Sequence, residues 1–183
     1  MLWWIIVLIV VAVLLLLLIG LYNALIRLRN QVKNAFAQID VQLKRRNDLI
    51  PNLVEAVKGY MKHEKGVLEN ITKARSAVMN ANDFEGKAKA SSQLTGTLKT
   101  LFAVAENYPQ LKANENFMQL QEELSGTESK IAYARQFYND VVTAFNTRIE
   151  LFPNNVFANM LSFKKEAIFA AAEEERKNVK VQF

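Results

Sequence analysis

The chain has no cysteine, three prolines, six glycines and one histidine among its 183 residues. The missing thiol excludes disulfides, thiolate catalysis, cysteine-ligated metal and a lipidated cysteine anchor. The lone histidine, His63 in "YMKHEKG", has no second histidine four residues on, so it does not form a two-histidine zinc helix. No glycine elbow surrounds Ser91, Ser92, Ser125, Ser129 or Ser162. The Gly86–Lys87 pair lacks the first glycine of a phosphate loop. Glu173, Glu174 and Glu175 read as a solvated helix face. We therefore expect no catalytic residue, no cofactor and no metal site: the chain is read as a non-enzyme. Charge of one sign is scarce too. The excess is only +5, and basic residues are interleaved with acidic ones, so no nucleic-acid partner is expected.

What the chain has is hydrocarbon. Met1 to Ile19 is an unbroken run of 19 apolar residues. As a helix it spans about 28 Å, which matches a bilayer core of about 30 Å. Trp3 and Trp4 stand at one end and Tyr22 at the other, where interfacial aromatics belong. A cleaved signal peptide, the alternative, would carry basic residues before the apolar run and a small-x-small cleavage site; no Lys or Arg precedes Leu2, and Gly20 and Ala24 make no clear site. Residues 1–21 are thus expected to be a retained transmembrane anchor in a cell membrane, with the lipid bilayer as the first partner. Arg27, Arg29 and Lys33 follow it closely. Each adds about 1 kcal/mol of attraction to anionic headgroups. By the positive-inside bias they place the short N-terminus outside and the body in the cytoplasm. The opposite topology is the alternative, because three charges are a modest bias.

The body, residues 22–183, reads as one all-α domain. Leu25, Leu28, Val32, Phe36, Ile39 and Leu43 step by three or four, and the same phase continues through Ile50, Leu53, Val57, Met61, Leu68, Ile71 and Val78. This predicts one very long first helix from the membrane to about Asn80, kinked at Pro51, which removes a hydrogen bond to the carbonyl of Asn47. The rival reading breaks the helix near Asn47 and starts another at Asp48. "NANDFEG" is a loop by composition. A second helix is predicted from Lys87 to Tyr108. A third starts at Asn114 or Asn116 and stops at Pro153, with Phe117, Leu120, Leu124, Ile131, Ala134, Tyr138, Val141, Phe145 and Phe152 as its stripe. A fourth, shorter region begins at Asn154 or Asn155 and turns near Ser162. The tail, with Val179, Val181 and Phe183 alternating, is predicted to be extended. The sum is a transmembrane helix continuing into a four-helix bundle.

Around the first helix, Arg29, Lys33, Asp40, Lys44 and Asn47 share a solvated sector, while Asn30, Asn34, Gln38 and Gln42 step by four along another. Neutral amides can hydrogen-bond to a partner without burying charge. These four form a candidate interaction face, for the last helix or for a second copy of the chain. An ordinary polar surface is the plainer alternative. Arg46 falls on the apolar stripe, where a guanidinium must snorkel or find a carboxylate. Asp140 is the first candidate and Glu128 the second, with Asn52 and Asn139 as hydrogen-bond partners in a structural polar network.

The stretches "YNALIRLRNQVKNAFAQIDVQLKRRNDLIPNLVEAVKGYMKHEKGVLENITKAR", "ARQFYNDVVTAFNTRIELFPNNVFANML" and the terminal "VKVQF" resemble the LemA family. Asn154 and Ser162 are slight departures from its late motif. The resemblance covers most of the chain after the anchor. It implies one N-terminal membrane span, a four-helix body and no imported active site. It also implies a role in membrane organisation, since a magnetosome-membrane protein is similar to the family. Relatives encoded near a membrane metalloprotease or a TPM-domain protein make such membrane proteins candidate partners. Two function classes follow. One is a scaffold that assembles as a homo-oligomer or with membrane-protein partners. The other is an adaptor or sensor that presents a partner such as a membrane protease.

Overall fold

The structure is a computed structural model that describes residues 2–81 and 83–169. It is all-α, and no strand occurs among the described residues. The elements are α1 (Leu2–Lys58), α2 (Lys65–Asn80), α3 (Phe84–Ala105), α4 (Pro109–Lys112), α5 (Glu115–Glu150) and α6 (Asn154–Met160). The very long first helix is present, at 57 residues. The predicted extended tail and the Glu173–Glu175 run lie outside the described residues. The described residues form two compact units, one from the ranges up to 37 and 134–168, the other from 38 to 133 together with Phe169.

In the second unit, the C-terminal stretch of α1, then α2, α3 and the first half of α5 supply a four-helix core. Ile50, Leu53, Val57, Ile71, Val78, Leu94, Leu98, Leu101, Phe117 and Leu124 are buried in it. Each such side chain contributes about 1.5–3 kcal/mol through burial. The first helix does not run to Asn80. It ends at Lys58, and a turn through Gly59–Glu64 leads into α2. Met61 plugs this turn, buried, with its N–H on the carbonyl of Val57 at 2.9 Å. The apolar phase survives the break because both arms of the hairpin face one core, so phase alone does not distinguish one helix from two.

Pro51 lies inside α1, and there is no break at Asn47. Proline has no N–H, so the carbonyl of Asn47 has no helical donor. Arg75 of α2 supplies one, donating from Nε at 3.1 Å. This also corrects the reading of Asn47 as solvated: it is 6% exposed. Asp40 of the same sector accepts two hydrogen bonds from Lys87 Nζ at 2.8 and 2.9 Å. Asp83 caps α3 by accepting from the Gly86 N–H at 3.1 Å. A Cβ on Gly86 would sit 2.4 Å from that cap oxygen, which explains the glycine.

In the first unit, α1 up to Ala37 packs against α5 from Ala134. Leu25, Val32, Tyr138, Val142, Phe145 and Ile149 are buried there. Val142, rather than Val141, is the fully buried member of the α5 stripe, and Phe152 is not in it at all, being 82% exposed. The helix ends at Glu150, so Phe152 has left its periodicity. After α6, Ser162 adopts a left-handed conformation with φ 57°. The N–H groups of Ser162 and Phe163 donate to the carbonyls of Asn159 and Ala158, the Schellman pattern that ends a helix and reverses the chain. The reversed segment is held to α5. Asn146 exchanges two 2.9 Å hydrogen bonds with the backbone of Glu166, and Tyr138 donates its hydroxyl to the carbonyl of Ala167 at 2.9 Å.

Candidate functional site

The N-terminal part of α1 is a candidate membrane anchor. Its most apolar window has a mean hydropathy of 3.4, and none of that window is buried. From Leu2 to Ile19 the large side chains other than half-buried Leu18 stand free, Leu8 and Leu16 at 69% exposure. A continuous apolar surface of this size far exceeds the few hundred Å² that a soluble monomer leaves open. Trp3, Trp4 and Tyr22 are exposed at its two ends, as are Arg27, Arg29 and Lys33 beyond it. The Arg29 guanidinium lies 5.9 Å over the ring of Phe163, a cation–π contact.

Of the candidate interaction face, Asn30, Asn34 and Gln38 are exposed and Gln42 is half-buried. Asn30 and Asn34 belong to the first unit, Gln38 and Gln42 to the second. Gln42 Oε1 is buried with no hydrogen-bond partner among the described residues. An unpaired buried amide oxygen costs about 1–3 kcal/mol.

Arg46 is fully buried, and Glu128 rather than Asp140 is its carboxylate. Arg46 Nη1 donates to Glu128 Oε2 at 2.7 Å and to Thr95 Oγ1 at 2.9 Å, and Nη2 donates to Ser91 Oγ at 2.9 Å. Thr95 in turn donates its hydroxyl to Glu128 Oε1 at 3.0 Å. The Arg46 side chain is 0% exposed and that of Glu128 is 42%, so the pair runs from the core to the surface. Asp140 is exposed and Asn139 half-buried, both in the first unit, while Asn52 is exposed in the second. Ser91 and Thr95 were missed by sequence reasoning. Their spacing of four on α3 was the available signal, since it puts both hydroxyls on one face.

The second unit also carries a groove of about 830 Å³ beside the turn between α1 and α2, with His63 on its wall. Val54, Met61 and Leu68 form its apolar part, and Lys58, Lys62, Lys65 and Lys73 its basic part. Glu69 is the one acidic lining residue. Lys62, Lys65 and Lys73 form no ion pair with a described residue. Among the described residues no three of the His, Asp and Glu side chains gather as a metal site.

The LemA family model matches residues 35–183. Protein LemA of Metamycoplasma hominis is 33% identical over 162 residues, covering 88% of this chain and 74% of that protein. Magnetosome protein MamQ 2 of Paramagnetospirillum magneticum is 24% identical and Magnetosome protein MamQ of Magnetospirillum gryphiswaldense 22%, each over 178 residues and 83% of this chain. The chain spans 65% of the length of these two magnetosome proteins. The family model covers everything from Ala35 onward, well over half of the chain, and on that match this chain belongs to the LemA family.

Proposed function

We propose that this chain is a single-pass membrane scaffold, catalysing no reaction, that acts through self-association and protein contacts at the membrane surface. The observation that carries the reading is the unburied apolar stretch of α1, because the same helix continues without a break into the packed body. Lipid around that stretch fixes the body at the bilayer. Exposed neutral amides at Asn30, Asn34 and Gln38 then offer hydrogen-bonding surface to a second copy. Relatives named as magnetosome proteins accord with work inside a larger assembly. In this reading the N-terminus is outside and the body cytoplasmic, as Arg27, Arg29 and Lys33 suggest.

The lysine-lined groove favours a second reading, an adaptor that holds an acidic segment of a membrane-protein partner. The mass of the detergent-solubilised full-length protein separates the two. A monodisperse homo-oligomer, broken by Asn34→Lys with Gln38→Lys, supports the scaffold. A monomer that co-purifies one other membrane protein supports the adaptor and overturns the scaffold.

A further inference from the structure

We propose that the corner between α5 and α6 is a second membrane contact, a wedge of apolar side chains resting in the headgroup layer of an anionic bilayer. The inference rests on the anchor reading above and concerns the first unit alone.

The geometry starts from register. The rings of Phe36 on α1 and Tyr138 on α5 are 6.1 Å apart. Farther along, Phe163 bridges Arg29 of α1, at 5.9 Å, and Phe145 of α5, at 6.3 Å between rings. From the first contact to the second the number falls by seven on α1 and rises by seven on α5, so the two helices run antiparallel without slipping. On the same register Val32 faces Val142 and Leu25 faces Ile149, and all four are buried. By the same step the last helical residue of α5, Glu150, is level with Ala24, and Phe152 follows directly beyond the helix end. Glu150 and Ala24 each lie about 18 Å beyond the Phe36–Tyr138 contact at 1.5 Å per residue, two residues short of Tyr22. Tyr22 marks the end of the apolar stretch, so the corner reaches the bilayer surface.

The chemistry at that level is amphipathic. Leu151, Phe152, Val156, Met160 and Leu161 are all exposed, Phe152 at 82% and Met160 at 75%. A patch of this kind on a water-facing corner is costly and marks a contact site. Arg27, Arg148 and Lys164 of the same unit are exposed as well, the last two close to the corner in sequence, and Lys165 pairs with Glu150. Apolar side chains rimmed by cations suit the boundary between headgroups and acyl chains. Continuity with the anchor and this charge select an anionic lipid surface rather than a second protein. The consequence is mechanical. Two points of contact, the α1 anchor and the α5–α6 corner, fix the tilt and rotation of the first unit, which a lone transmembrane helix leaves free.

The absence of cysteine gives a clean test. Single variants Phe152→Cys, Val156→Cys, Val10→Cys and Ser129→Cys of the full-length chain are spin-labelled. They are reconstituted in vesicles of phosphatidylcholine with phosphatidylglycerol. Accessibility to oxygen and to a water-soluble nickel complex is then measured. The proposal expects labels at 152 and 156 to favour oxygen severalfold over the aqueous Ser129 position, at a depth of about 5–10 Å. Position 10 reads as mid-bilayer. Labels at 152 and 156 that match Ser129, with position 10 still in lipid, overturn the wedge and leave the anchor standing. Labels at 152 and 156 shielded from both reagents indicate a protein contact and also overturn it. Position 10 in water overturns the anchor reading and the wedge together. Adding Phe152→Glu to the Val156→Cys chain should return that label to water while position 10 stays put.

Discussion

Removing Glu128 should damage the core of the second unit although Glu128 itself is partly exposed. The Arg46 side chain is 0% exposed and cannot rehydrate in place, whereas Glu128 is 42% exposed and can. Breaking a buried pair by removing one partner costs about 3–5 kcal/mol, because a charge is left buried. Ser91 and Thr95 still accept from the guanidinium after Glu128→Ala, and water can approach from the Glu128 side, so we place this variant near the lower end, about 3 kcal/mol. For a chain of this size each kcal/mol moves the Tm by about 2–4 °C, which gives a drop of roughly 6–12 °C. Arg46→Met leaves no buried charge. It strips one partner from the Ser91 and Thr95 hydroxyls, at about 1–2 kcal/mol. The double variant should therefore be more stable than Glu128→Ala alone, with a coupling of about 2 kcal/mol. Far-UV circular dichroism melts of the four proteins in detergent micelles measure the cycle. A Glu128→Ala protein that melts with the native chain, or a double variant less stable than either single one, refutes the reasoning.

Other expectations follow from particular hydrogen bonds. Arg75→Met should cost about 1.5–3 kcal/mol, since a charged donor to the Asn47 carbonyl is lost. In a Pro51→Ala background the loss should shrink by half or more, because residue 51 then supplies the helical N–H; equal losses in both backgrounds would sink this account. Burial, and then the negative charge of Glu166, raise the Tyr138 pKa above its ordinary value near 10. A raised pKa means the protonated phenol is favoured in the folded state, so its contribution is full below about pH 10 and is lost as pH rises further. Tyr138→Phe should flatten the alkaline limb of the stability profile; alkaline melts that stay parallel to the native curve would contradict it. Asp83→Ala should destabilise by about 1 kcal/mol through loss of the α3 cap, and a melt unchanged within about 0.5 kcal/mol would speak against it.

Much of the fold was legible because long amphipathic helices leave a strong periodic trace. Leu25 to Leu43 and Ile50 to Val57 lie on the predicted face, and their burial follows from that period. The end of α1 at Lys58 was not legible from phase, since a hairpin whose arms share one core keeps the same phase. Gly59 and the polar run around His63 were the local signal. The exposure of Phe152 follows from the helix ending two residues earlier, and boundary position is what periodicity reports least well. Arg46 could be read as needing a carboxylate, because a guanidinium on an apolar stripe must be paired. Which carboxylate it meets depends on how α5 is placed against α1, and residue spacing within one helix does not carry that. The hold of Asn146 on Glu166 was equally hidden, because a side-chain amide clasping irregular backbone has no period. The anchor was the most readable feature, since its evidence is composition alone.

The central claim is that the N-terminal hydrocarbon run stays in lipid as the leading part of α1. Intact-mass measurement of the chain after an alkaline carbonate wash of membranes tests it directly. The protein is expected to remain in the pellet with residues 1–19 still attached. A chain shortened by its first twenty or so residues and recovered in the supernatant would contradict it.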